Sequence, residues 1–101
     1  MHSKDVSEKI GNSNVEIPID GTLDLHTFQP QEIAGVVVDY LEECRRRNIL
    51  EVRIIHGKGI GNLRRTVEAT LKKMTIVANW LPAGHDAGHW GATLVYLKSP
   101  A

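Results

Sequence analysis

The sequence predicts a single α/β domain whose strands and helices alternate in the order β-α-β-α-β-β. Two segments carry apolar residues at helical spacing, each follows a short extended or β-branched run, and 101 residues is a common size for one domain. Such alternation implies right-handed crossovers, which make the first strands parallel. The last strand follows a loop without a helix, so we expect it to lie antiparallel to its neighbour in a mixed four-stranded sheet.

The individual elements have their own signals. The first helix has Thr27 or Gln29 as its cap, Pro30 in its first turn, and arginines 45–47 at the negative end of its dipole. Its apolar positions are Ile33, Val37, Tyr40, Leu41 and Cys44. We expect a flexible polar tail at 1–14, followed by one domain at 15–101. The domain begins with an extended run at 15–25, in which residues 22–25 are the better strand. After the first helix, the expected elements are a strand (52–55), a helix (62–74), a strand (75–80), a loop (81–91) and a final strand (91–98).

The composition is that of an ordinary globular protein, with 42% hydrophobic and 24% charged residues. No apolar run is long enough to span a membrane, and the polar start lacks the apolar core of a signal peptide. We therefore expect a cytoplasmic protein. Its single cysteine, Cys44, is expected to be inert core. No serine lies between Asn14 and Lys98, which excludes a serine triad in the folded body.

The charge is unevenly distributed, although the net charge is zero. The stretch from Cys44 to Lys73 holds nine basic and two acidic residues, a net charge of +7. A basic middle of this kind suits a polyanionic partner such as nucleic acid. The alternative is that these side chains form solvated helix faces.

A glycine-rich loop, HGKGIG at 56–61, separates the second strand from the second helix. Its glycines expose backbone N–H groups at the positive end of the following helix, where an anion binds favourably. We expect a phosphate to be held there by Gly57, Lys58, Gly59, Gly61 and Arg64. Alternatively, the glycines serve only the sharp connection. The spacing fits neither a Walker A loop nor a dinucleotide fingerprint, so no nucleotide cofactor is expected.

Two histidines and a carboxylate follow the first two strands of the sheet: Asp24 and His26 in LDLH, and His56 in IIHG. The carboxyl ends of parallel strands meet at one edge, beside the glycine loop. Histidine titrates near neutrality and can therefore move a proton to or from a reacting oxygen. We expect His26 or His56 to be the general base or acid, with Asp24 orienting a histidine or helping to hold a metal.

The loop before the last strand contains HDAGH, which differs from a zinc-protease helix because glycines interrupt it. The sequence leaves open a divalent metal, magnesium or manganese, bound by some of Asp24, His26, His56, His85 and His89. Trp90 either stacks on a nucleic-acid base or covers the edge of the core.

Three motifs in register, LDLH, IIHGKGIG with LR, and GATLVYL, together resemble the Smr (small MutS-related) domain, in a stand-alone small form. The resemblance implies a two-layer βαβαββ sandwich like the carboxy-terminal domain of translation initiation factor three. It also implies nucleic-acid binding, with DNA nicking or RNA cleavage in some members, and family roles for Asp24, His26 and residues 56–59. Two positions depart from the family pattern: Thr27 and His89 stand where glycines are usual.

The leading hypothesis is therefore an Smr-like endonuclease that acts on a phosphodiester. The alternatives are a DNA- or RNA-binding module without catalysis, and a protein-interaction adaptor that uses the basic end of the first helix. The sequence leaves open the choice between DNA and RNA, the metal requirement and the oligomeric state.

Overall fold

The computed structural model describes residues 7–9, 16–57, 62–83 and 91–100. Its strands and helices in chain order are β1 (Ser7–Lys9), β2 (Glu16–Pro18), β3 (Thr22–Asp24), α1 (Ile33–Arg46), β4 (Glu51–Ile55), α2 (Asn62–Lys73), β5 (Val77–Pro82) and β6 (Ala92–Leu97). From β3 onward this is the predicted β-α-β-α-β-β order. Neither α1 nor α2, the helices of these ranges, has the length and apolar composition that a membrane-spanning helix requires.

The four strands β3 to β6 form one mixed sheet with the order β3-β4-β6-β5. β3 and β4 are parallel, whereas β6 pairs antiparallel with both β4 and β5. The predicted parallel first pair and antiparallel last strand are therefore both confirmed. β6, the last strand in the chain, therefore lies inside the sheet, between β4 and β5.

The two helices pack on one side of the sheet and bury its alternate residues. The core joins α1 and α2 to every second strand residue, including Leu23, Ile54 and Val95. We call this the helix-covered side. The residues between them, such as Asp24 and Ile55, are exposed or half-buried and lie on the open side. The domain is thus a two-layer α+β sandwich.

The segment expected to be a flexible tail contains one strand among its described residues. Ser7–Lys9 forms β1, which pairs antiparallel with β2. The sequence around β1 is polar and lacks strand periodicity, so its strand conformation depends on the backbone partner that β2 supplies. The structure also divides the extended run at 15–25 into β2 and β3.

The start signals predicted for the first helix fall on a 3-10 turn, Pro30–Glu32, which leads into α1. Gln29 caps this turn, and its backbone N–H donates to the Glu32 carboxylate at 2.9 Å. The residue before α1 itself is Glu32, which makes no side-chain cap hydrogen bond. After Arg46 the chain reverses through Asn48, whose positive φ of 63° is tolerated by asparagine. The N–H of Ile49 then donates to the Cys44 carbonyl at 2.8 Å, which closes the helix end.

Tyr40 of α1 is fully buried and ties the helix to the segment that leads into β3. Its hydroxyl accepts a hydrogen bond from the Gly21 N–H at 3.1 Å and lies 3.0 Å from the Thr22 carbonyl. Gly21 has a φ of +97°, a conformation that favours glycine. This anchor fixes the start of β3, and so the position of Asp24 at its end.

Candidate functional site

The candidate site is the edge of the sheet where the parallel strands β3 and β4 end. Their register pairs Leu23 with Ile54 and Asp24 with Ile55. One further ladder bond, from the Leu25 N–H to the Ile55 carbonyl at 3.0 Å, extends the pairing past both strand ends. The segments carrying His26 and His56 therefore leave the sheet side by side, at the edge the sequence predicted.

Asp24 and His26 form a bonded pair in contact with solvent. One carboxylate oxygen of Asp24 lies 2.8 Å from His26 Nδ1 and also accepts the His26 backbone N–H at 3.0 Å. The His26 side chain is 76% exposed and that of Asp24 is 48% exposed. Partial burial alone would raise the pKa of Asp24, but the bonds from the His26 ring and backbone outweigh it and lower the pKa below its usual 3.8. The carboxylate thus stays ionised and orients the imidazole.

His56 has a different environment. Its residue exposure is only 7%, and both ring nitrogens have partners. Nδ1 lies 3.1 Å from the carbonyl of Gly57, and Nε2 lies 2.9 Å from the hydroxyl of Thr93 on β6. A buried ring with two partners is held in one orientation.

The two histidines leave the edge on different sides of the sheet. Thr93 pairs with Ile54 and is buried, so His56 lies on the helix-covered side. Asp24 pairs with Ile55 and lies on the open side, with the His26 ring bonded to it. The prediction of one shared edge holds, but the imidazoles do not lie on one face, because alternating strand residues point to opposite faces. A ligand in contact with both imidazoles would have to extend past the ends of β3 and β4, from one face of the sheet to the other.

Gly57, the second residue of the glycine loop, has a left-handed conformation with a φ of +85°. A Cβ atom added there would meet no atom of the described residues within 4 Å, so this backbone angle is what favours glycine. The Gly57 N–H donates to the Gly91 carbonyl at 2.9 Å, and the His56 N–H donates to the same oxygen at 2.8 Å. The Gly57 amide is therefore occupied within the fold, unlike the free amide that the sequence predicted.

The remaining predicted phosphate ligands lie around the start of α2. Arg64 occupies the first turn of that helix and is exposed. Lys58, Gly59 and Gly61 lie outside the described residues. The same is true of Trp90 and of two of the histidines considered as metal ligands, His85 and His89.

Comparison with known proteins decides the family. Residues 23–98, about three quarters of the chain, match the Smr domain family. This chain belongs to the Smr family. The resemblance seen in its LDLH, HGKGIG and GATLVYL motifs is thereby confirmed.

Relatives of this Smr chain include proteins named Endonuclease MutS2. It is 36% identical over 80 residues to the one from Clostridium botulinum (strain Eklund 17B / Type B), and 41% identical over 80 residues to the one from Thermomicrobium roseum. Each match covers 79% of this chain and 10% of the relative. The chain therefore spans about a tenth of the length of these MutS2 proteins.

Two solved Smr structures share the fold. The Smr domain of Thermus thermophilus MutS2 superposes with a TM-score of 0.73 and 30% identity, over 78% of this chain and 99% of that one. YdaL, a stand-alone small MutS-related protein from Escherichia coli, superposes with a TM-score of 0.69 and 26% identity, over 78% of this chain and 65% of that one. The mixed sheet with two helices is thus the Smr fold.

The basic end of α1 in this Smr domain makes contacts within the chain. Glu43, which is nearly buried, pairs with the side chains of both Arg46 and Arg47. Arg45 donates from Nε to the Lys98 carbonyl at 3.0 Å and from Nη2 to the Ser99 carbonyl at 3.3 Å. Three of the nine basic residues counted in the sequence, those at 45–47, therefore bond within the chain, to α1 and to residues 98–99.

Two further sequence predictions concern metal and thiol chemistry. In the part of the chain that the structure describes, no three His, Cys, Asp or Glu side chains group as a metal site. Cys44 is fully buried in the core, as expected, and burial raises the pKa of its thiol to about 11.

Sequence reasoning did not predict Thr93 as the hydrogen-bond partner of His56. It was assigned only to the last strand, where it shares its inward phase with Val95 and Leu97. The available signal was a threonine among the alternate residues of β6 that are otherwise apolar and buried, because a buried hydroxyl needs a hydrogen-bond partner. That partner is His56, which is distant in sequence and was not expected to face β6.

Proposed function

We propose that this Smr domain binds nucleic acid at the edge formed by β3 and β4 and cuts a phosphodiester there, with His26 and Asp24 as the catalytic pair. The observation that carries the proposal is the exposed His26 imidazole held by the Asp24 carboxylate at 2.8 Å. An imidazole that is both accessible and oriented is suited to proton transfer. His56 lacks that access, because it is buried and bonded at both ring nitrogens.

The bond to Asp24 defines the roles of the two His26 ring nitrogens. An ionised carboxylate only accepts hydrogen bonds, so the proton lies on Nδ1, which donates a hydrogen bond to Asp24. The lone pair of the neutral ring then lies on Nε2, which has no hydrogen-bond partner among the described residues. Nε2 takes a proton from the attacking water or ribose hydroxyl, and the resulting imidazolium, stabilised by Asp24, can return it to the leaving oxygen.

The phosphate would be held by groups at the start of α2. Arg64 contributes a full charge, and the helix start contributes the positive end of its dipole. The sequence adds Lys58 and the backbone of Gly59 and Gly61 to this set. Gly57 contributes its left-handed conformation, which directs the loop, because its amide already donates to Gly91. The match to proteins named Endonuclease MutS2 supports the reaction class.

The test is a cleavage assay on labelled supercoiled DNA and structured RNA, each with magnesium, manganese or EDTA. We expect His26→Ala and Asp24→Asn to slow cutting by roughly 10²- to 10⁴-fold, the usual contribution of a positioned acid or base. Asp39→Asn, which removes an exposed carboxylate from α1, is the matched control and should cut normally. Cutting that survives both edge substitutions would refute the catalytic assignment.

Binding to the same nucleic acids is measured separately as a function of salt. Arg64→Ala should weaken binding and reduce the slope of log K against log salt concentration by about one. Lys72→Ala, at the other end of α2, should change both the affinity and this slope less. Binding without cutting would favour a non-catalytic module. Absence of any salt-dependent binding would favour the adaptor and end the proposal.

A further inference from the structure

We infer that the open side of the sheet binds an unpaired segment of the nucleic-acid strand, with a backbone phosphate on Arg53 and a base on Tyr96. The inference rests on the proposed function, because it places the strand on the same side of the sheet as the Asp24–His26 pair. The open-face patch is our name for four neighbouring side chains on this side: Arg53, Leu81, Leu94 and Tyr96.

Strand alternation and register place these side chains next to one another. Arg53 lies between two buried residues of β4 and therefore points to the open side. It pairs with Leu94 of β6, and Leu94 pairs with Leu81 of β5, so the three form one row across the sheet. Tyr96 lies two residues beyond Leu94 on β6, and therefore on the same face.

The apolar members of the open-face patch are not part of the core. Leu94 and Tyr96 are half-buried, but neither belongs to the core cluster or packs against it. Leu81 is 38% exposed and is the one exposed large hydrophobic residue among residues 7–9, 16–57, 62–83 and 91–100. Apolar and aromatic side chains on an open sheet suit the faces of bases. Because bases in a duplex stack on each other, the patch fits an unpaired segment.

Arg53 supplies the positive charge of this surface. It is the only basic residue in the four strands β3 to β6. Arg53 is half-buried, yet its guanidinium forms no hydrogen bond or ion pair with any described residue. A guanidinium has five N–H donors in a planar arrangement that matches the oxygens of a phosphate. These donors are therefore available to the backbone of a bound strand.

The open-face patch adjoins the proposed catalytic pair. Arg53 pairs with Thr22, and Asp24 lies two residues further along β3 on the same face. Standard strand spacings put the Cα atoms of Arg53 and Asp24 roughly 8 Å apart. A strand with a phosphate on Arg53 can therefore reach the exposed His26 ring without crossing the sheet. Arg64, in contrast, belongs to α2 in the helix layer.

One acidic side chain determines which part of the strand lies over Tyr96. Glu51 is exposed and pairs with Tyr96 across β4 and β6. Its carboxylate repels a phosphate, so the backbone passes over Arg53, one row closer to the catalytic pair. A base is uncharged and therefore can occupy the row of Glu51 and lie on the Tyr96 ring.

The test is binding of a fluorescein-labelled, unstructured single strand, as DNA and as RNA, compared with a blunt DNA duplex. Tyr96→Leu should weaken binding of the single strand by about five- to 100-fold, the usual effect of losing one stacked base, whereas Tyr96→Phe should retain it. Arg53→Gln should weaken it and reduce the slope of log K against log salt concentration by about 0.7. Lys73→Gln, the same charge change at the end of α2, is the matched control and should change both less.

Three outcomes would overturn the inference: equal losses in Arg53→Gln and Lys73→Gln, equal binding by Tyr96→Leu and Tyr96→Phe, or losses as large for the duplex as for the single strand. Thermal unfolding of each variant ensures that binding is compared between folded proteins.

The cleavage assay separates this inference from the proposed function. Binding of the single strand through the open-face patch, without cutting of any substrate, would refute the proposed catalysis and leave the patch as a binding surface. Cutting that depends on His26 but is unchanged, together with binding, in Arg53→Gln and Tyr96→Leu would refute the patch and leave the catalytic assignment.

Discussion

Replacing Tyr40 with phenylalanine tests whether a single hydroxyl anchors the strand that carries Asp24. The substitution keeps the buried ring and removes only the oxygen that accepts the Gly21 N–H at 3.1 Å and lies 3.0 Å from the Thr22 carbonyl. The Gly21 N–H is buried and would lose its acceptor. Leaving one buried donor unsatisfied costs about 1–3 kcal/mol, and the middle of that range lowers the melting temperature of a domain of this size by about 10 °C.

The assay is urea and thermal unfolding of Tyr40→Phe beside Tyr96→Phe. Tyr96 lies half-buried on β6, and its hydroxyl has no hydrogen-bond partner among the described residues, so its loss should change the unfolding free energy by less than about 0.5 kcal/mol. Equal effects of the two substitutions would refute the anchoring role of Tyr40. A smaller loss for Tyr40→Phe than for its control would refute it more strongly.

Two further predictions concern titratable groups. The pKa of Asp24 is lowered in the folded state, so its ionised form contributes stability that is fully present above its unfolded pKa and is lost as the pH falls below about 4, through the folded pKa. The stability difference between the unmodified protein and Asp24→Asn, followed by urea unfolding, should therefore shrink at acid pH; a constant difference would contradict the bond to His26. Cys44, fully buried and with its pKa raised by burial to about 11, should resist iodoacetamide in the native protein and react once urea unfolds it, as followed by mass spectrometry. Native alkylation at the rate of a free thiol would contradict its burial.

Local chemistry in the sequence was sufficient to predict most of the fold. Helical spacing of apolar residues located α1, Pro30 marked the 3-10 turn that leads into it, and the β-branched run at 52–55 marked β4. These signals act between neighbours in the chain, so they can be read without a structure. β1 was not predicted, because a three-residue polar strand depends on its partner β2 and has no periodicity of its own.

The same distinction applies to the site. The sequence by itself determined its ingredients: Asp24 and His26 two residues apart, His56 beside a glycine loop, and parallel strands that bring both groups to one edge of the sheet. Only the tertiary structure decided their roles, because burial and hydrogen-bond partners come from residues that are distant in the chain. Thr93, on the neighbouring strand β6, forms a hydrogen bond with His56, whereas His26 remains exposed beside Asp24. One histidine is thereby held as a support and the other left accessible for chemistry, a difference that two identical side chains in similar local sequences cannot show.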